Sequence, residues 1–344
     1  MLIDKLYAVV EALNLDLRGK TVLTEAATGP YVVTPVLAAL AGAKVYAFTR
    51  ATRYGSVEEV FEQTGKLISE CRFMDLDIQI VDDLTPEMIG SADMITNSGH
   101  LRPLNEEKLK YAKTSLVIPL MYEAWEWRDS DIDLAYIRTR GFALGATNER
   151  HPDIDVFNYL GDMALKLIYD AGICLYGNRF ILICNNDFGP YIAKVLSKHC
   201  AGILVIDEDK NRDRYLQLPV EWGGGFPELS IPESYCDSEA IIFSAYPFTR
   251  EWIGNRHPID LGTIKKALRD PYLLRYCGDI RTADCDSAGI RYFPKQVPSG
   301  HMGVLPSAIG FDPVIRLQAG GLKAGEALMS GQFTYRNLPI VDIL

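Results

Sequence analysis

One feature constrains this chain above all others: an alternation of short apolar runs and helical patterns that restarts halfway along. "KTVLTEA", "KVYAFTR", "DIQIVDD", "ADMITNS" and "TSLVIPL" read as strands. Between them lie segments with apolar residues at helical spacing, such as "GPYVVTPVLAALAGA" and "SVEEVFEQTGKLISECRF". Glu58 and Glu59 fall in the first turn of the latter, where the helix dipole favours acids. The alternation resumes with "DIDVFNYLGDMALKLIYDAGI" (a long amphipathic helix), "RFILICNN", "GPYIAKVLSKHC", "GILVIDED", "SEAIIFSAY" and "LLRYCGDI", and closes on "PVIRLQAGGLKAGEALMSG". Strands that alternate with helices pair in parallel and need helices on both faces of the sheet. Two such series in 344 residues predict an α/β chain of two domains, with the boundary near "NERHPDID".

Charge narrows the partners. The net charge of −10 opposes a nucleic-acid partner and an anionic membrane surface. No apolar run approaches the ~20 residues that span a bilayer. The N-terminal "MLIDKLYAVVEALNLDLRGK" reads as an amphipathic helix, not a signal peptide. The seven cysteines are scattered, with no C-x-x-C pair, so free thiols in a cytoplasmic protein are expected and a metal site is not.

"ILICNNDFGPYIAKVL" carries the strongest motif. A dinucleotide turn follows its strand with G-x-G-x-x-G and places a carboxylate ~20 residues further on for the ribose. With the third glycine at Gly189, the first two positions hold Cys184 and Asn186, and Asp207 stands 18 residues beyond Gly189 (207 − 189). The frame fits; two of the glycines do not. Asn tolerates the left-handed backbone better than other non-glycine residues. Asp187 places a negative charge inside the turn. Two readings stay open: an altered nucleotide site, or a structural relic. If the site works, Asp207 favours NAD over NADP.

The layout resembles the D-2-hydroxyacid dehydrogenase and S-adenosylhomocysteine hydrolase superfamily. The stretch from "DIDLAYIRTRGFALGATNERHPDIDVF" into the following helix, the turn segment itself, "IIFSAYPFTREWIG" and "VPSGHMGVLPSAIG" carry the likeness. It implies two Rossmann-like domains, 1–152 for substrate and 153–310 for NAD(P), linked by a long helix. The C-terminal helix and tail, 311–344, would return to the first domain. It also implies NAD at Asn186, Phe188, Gly189, Asp207, Ala245 and Pro247, with His301 as acid/base residue between the domains. The family's catalytic Arg-Gly step and its glutamate partner have no match here.

Other candidates come from the ends of strands, where open α/β sheets bind ligands. "NSGHLRPL" offers His100 as a second catalytic residue and Arg102 for a substrate carboxylate. "EAATGPY" offers Glu25 as a base and Thr28 at an anion-accepting helix start; "FTRATRYGS" offers Arg50 and Arg53. "MYEAWEWRD" sets Glu123, Glu126 and Arg128 beside two tryptophans. The expected function is NAD-dependent oxidoreductase-like, acting on a small polar acid. The alternatives are a non-redox metabolite-binding protein with a degenerate nucleotide site, and a lyase or transferase using the first domain's anion site. The expected partners are a small-molecule substrate and further copies of the chain, as a dimer.

Overall fold

The computed structural model describes residues 1–71 and 75–344. It divides into two compact units, Met1–Val156 with Gly310–Leu344, and Phe157–Ile309.

The first unit is built on β1 (Thr21–Glu25), β2 (Lys44–Phe48), β3 (Ile78–Val81), β4 (Met94–Ile95), β5 (Val117–Pro119) and β6 (Ala143–Thr147). These six are parallel, in the order β6-β5-β4-β1-β2-β3, and Val341–Ile343 adds an antiparallel edge beside β6. The order reverses direction between β1 and β4. Helix Val33–Leu40 is buried on every side, as its unbroken "VTPVLAAL" demands. Helix Phe311–Ser330 packs on β5 and β6. Its glycines permit that approach: a Cβ on Gly321 would stand 2.4 Å from Met121 Sδ, and one on Gly325 2.3 Å from Met94 Cε. The helix predicted over "SVEEVFEQTGKLISECRF" runs Val57–Glu70, opened by a reciprocal Ser56–Glu59 cap. The last two residues of that segment, Arg72 and Phe73, lie outside the described residues.

The second unit has its own parallel sheet: β7 (Arg179–Cys184), β8 (Gly202–Ile206), β9 (Glu221–Trp222), β10 (Ala240–Ser244), then Tyr272–Cys277 and Arg291–Phe293. Its order is Arg291–Phe293, Tyr272–Cys277, β10, β7, β8, β9, and it reverses between β7 and β10. Ile181, Ile183, Ile241, Phe243 and Leu273 fill one core beside it.

Three details depart from the sequence reading. The long helix begins only at Leu160, after a 3-10 turn over Phe157–Tyr159, because Asp155 takes a left-handed backbone (φ 53) that no helix continues through. "LLRYCGDI" is two strands. Gly278 (φ 88) turns the chain where a Cβ would meet Ala245 O at 2.7 Å, and Asp279–Ile280 then joins a small separate sheet. The tail supplies the edge strand Val341–Ile343, which was not anticipated.

Among the described residues no helix is long and apolar enough to cross a membrane.

Candidate functional site

In an open parallel sheet the ligand crevice lies outside the carboxyl ends of the strands, where the order reverses. In the first unit that point falls between β1 and β4. Glu25 ends β1 and is buried, and its Oε2 accepts the His100 backbone N–H at 3.1 Å from the loop after β4. Gly99 allows the approach, since a Cβ there would lie 3.3 Å from the same oxygen. His100 Nδ1 stands 3.4 Å from Thr49 Oγ1, just past β2. Beneath them the hydroxyls of Thr24, Thr96 and Ser98 form a buried relay with 2.8 Å steps. The sequence offered Glu25 and His100 as separate candidates on different strand ends; the fold brings the Glu25 carboxylate to the His100 backbone.

The other first-unit candidates are committed differently. Arg102 donates from Nε to Asn97 Oδ1 (3.1 Å) and from Nη2 to Asn97 O (2.8 Å). Its Nη1 lies 3.4 Å from Asp131, and the guanidinium stacks over Tyr122. It holds the loop instead of facing a substrate carboxylate. Thr28 Oγ1 donates to Tyr54 O at 3.0 Å, and Gly29 N–H donates to Gln63 Oε1 at 2.9 Å, so these donors of the expected anion site are taken by the chain. Arg53 lies over the ring of its neighbour Tyr54 and bonds its hydroxyl. Arg50 is exposed and reaches the Arg102 carbonyl at 3.5 Å. Close by, Lys108 donates to the Leu101 and Pro103 carbonyls. Its ammonium is pulled down to about 8 by burial and by Arg50. Arg50 and Lys108 therefore put the positive charge at this edge.

An acidic side lies on the loops after β5 and β6. Glu123 accepts the Glu149 N–H at 2.9 Å and pairs with Arg150 at 3.2 Å; burial raises its pKa. Burial, then the charge of Glu123, lifts Glu126 to about 7. Burial, then Glu126 and Glu123, lifts Glu149 well above the usual carboxylate range. The Tyr31 phenol is raised by burial, then by Glu25 and Glu149. Glu149 and Tyr31 escaped the sequence reading. Glu149 comes just after β6, as Glu25 ends β1, but "NERHPDID" reads as a boundary. His151, in that same stretch, is a core residue, with Nε2 3.0 Å from Tyr335 O.

In the second unit the reversal lies between β7 and β10, and the turn after β7 occupies it as expected. Asn186 turns its amide inward, with Nδ2 3.3 Å from both Ser244 O and Ser244 Oγ. Phe188 is buried and opens helix Phe188–Leu196. Gly189 is covered: a Cβ there would fall 2.0 Å from the Tyr215 hydroxyl. Asp207, expected at a ribose, is fully buried. Its Oδ2 accepts from Tyr215 (2.7 Å), and its Oδ1 accepts from Asn211 (2.9 Å) and from Glu208 N–H (2.7 Å). The expected ribose role fails here because the chain's own hydroxyl has taken the carboxylate. Ala245 is buried, with its N–H on Cys277 O at 3.1 Å, and Pro247 O accepts from Trp252 Nε1 at 3.0 Å. His301 has Nδ1 3.0 Å from Ser299 O. Its loop is fixed by Asp279, which accepts from Ser299 Oγ and Gly300 N–H and pairs with buried Arg275. Among the described residues no three or more His, Cys, Asp or Glu side chains gather to hold a metal ion.

These two sheets, each reversing at its first strand, have counterparts among solved structures. The A chain of dipicolinate synthase from Bacillus subtilis is similar over 93% of this chain and 99% of its own, at 12% identity and a TM-score of 0.58. A D-lactate dehydrogenase from Treponema pallidum is similar over 94% of this chain and 100% of its own, at 12% identity and a TM-score of 0.53. The chain has the fold of the two-domain Rossmann dehydrogenases. A further neighbour is the NAD-dependent formate dehydrogenase of Staphylococcus aureus in complex with NAD, at 13% identity, covering 94% of this chain and 98% of that one, with a TM-score of 0.50. No protein-family model and no curated protein matches the sequence.

Proposed function

We propose that the chain binds a small polar acid at the carboxyl edge of the first unit's sheet and acts on it there, using the dehydrogenase fold as scaffold. One observation carries this reading: at the reversal between β1 and β4, Glu25 holds the His100 loop by its backbone N–H. That bond sets a titratable imidazole at the place where such sheets take their ligands. His100 Nδ1 is turned to Thr49, so Nε2 is the ring nitrogen that exchanges a proton with the ligand. Arg50 and Lys108 supply the positive field for a carboxylate. The test is a thermal-shift panel of small hydroxy, keto and dicarboxylic acids. A binding acid at 100 times its Kd adds about 2.7 kcal/mol of stability. Arg50→Ala should weaken that acid by roughly tenfold, and His100→Ala should abolish turnover more than binding. Unchanged affinity in Arg50→Ala would remove this site.

A second reading keeps the nicotinamide chemistry of the fold, with NAD at the turn after β7 and His301 as acid/base residue. The strand order of the second unit and the NAD in the formate dehydrogenase neighbour favour it. It requires that the turn offer free donors to a diphosphate.

A further inference from the structure

A helix start binds a diphosphate through backbone N–H groups that nothing else has taken. At helix Phe188–Leu196 the N–H groups of Phe188 and Gly189 are already engaged. Phe188 N–H donates to Asn186 Oδ1 at 3.1 Å. Gly189 N–H faces Cys184 Sγ, which also takes the Asn186 N–H at 3.5 Å. Pro190 has none. Asp187 adds a carboxylate at the helix start and is paired with Arg214 at 2.6 Å.

The crevice is tied shut from the other side. The Asn185 side chain makes both bonds to the Tyr246 backbone, donating from Nδ2 to its carbonyl (2.9 Å) and accepting its N–H (2.7 Å). That tie joins the ends of β7 and β10, where the middle of a dinucleotide would lie. At the ribose end, Tyr215 supplies to Asp207 the hydroxyl that a nucleotide would bring.

We propose that the turn after β7 is closed to dinucleotides by the chain's own side chains. Asn186 and Cys184 stand in for the phosphates, and Tyr215 stands in for the ribose hydroxyl. The second unit keeps the nucleotide fold as a structural joint, and ligand chemistry falls to the first. This is independent of which acid the first unit takes.

Calorimetric titration of the full chain with NAD, NADH and ADP-ribose should give no saturable heat up to about 5 mM, which places any Kd beyond the millimolar range. Any of the three binding with a Kd below about 1 mM would overturn the proposal. Amide hydrogen exchange of the ligand-free protein gives the positive reading. The Phe188 amide should be protected at least a hundredfold, and Asn186→Ala should remove most of that protection while the β7 amides keep theirs. A Phe188 amide that exchanges freely in the unsubstituted chain would sink the closed turn outright.

Discussion

Substituting Gly189 and Tyr215 together tests the contact on which the closed turn rests. An alanine Cβ at position 189 would sit 2.0 Å from the Tyr215 hydroxyl and 2.9 Å from Cys184 Sγ. The phenol is the terminus of a buried side chain bonded to Asp207 at 2.7 Å, so it moves only by giving up that bond. Hydrogen bonds to charged groups contribute about 1.5–3 kcal/mol, and overpacking typically costs about 1–3 kcal/mol. Gly189→Ala should therefore cost about 3 kcal/mol, and Tyr215→Phe alone about 2 kcal/mol. In the Tyr215→Phe background the hydroxyl is already gone, and only the Cys184 contact opposes the methyl. There Gly189→Ala should cost about 1 kcal/mol, giving a coupling of about 2 kcal/mol between the two sites. Urea melts of the four proteins measure it, with the second unit's transition followed by tryptophan fluorescence. Additive losses within about 0.5 kcal/mol would refute the reasoning, because the hydroxyl would then not cover Gly189.

Three further outcomes follow. Glu126 holds its proton to about pH 7 in the folded chain, so its contribution to stability is full below its unfolded pKa of about 4.5 and is lost as pH rises to about 7. Glu126→Gln should accordingly gain about 1–3 kcal/mol on the unsubstituted protein by pH 8 and nothing at pH 4, read from melts across that range. Asp279→Asn leaves buried Arg275 unpaired and should cost about 3–5 kcal/mol, with faster amide exchange at Gly300. Asn185→Ala should cost no more than about 0.5–1.5 kcal/mol, since the two bonds it removes from the Tyr246 backbone are exposed, while binding of acids to the first unit is unchanged in titration.

The alternation of apolar runs was enough to read the two parallel sheets, because a period of two and a period of about four cannot be confused over whole segments. It also located Glu25 at the end of one strand and His100 after another, as two separate candidates; their meeting through the His100 N–H needed the fold. Other features hang on partners far away in sequence. Asp207 stands at the correct spacing for a ribose, but spacing does not disclose that Tyr215 and Asn211, on the 3-10 turn after it, bond its oxygens. Arg102 reads as a carboxylate binder until the fold brings Asp131 beside it. Glu149 hid in a stretch whose turn residues also suit a boundary. The Val341–Ile343 strand is too short to show an alternation at all.

That last strand has a practical meaning. β6 would otherwise present a bare row of amides and carbonyls at the rim of its sheet, and such rims recruit other chains. The final residues act as a selvedge, the woven border that keeps cloth from fraying. Proteolysis that clips the chain ahead of Val341 would leave the site residues in place and yield a protein that sticks to itself.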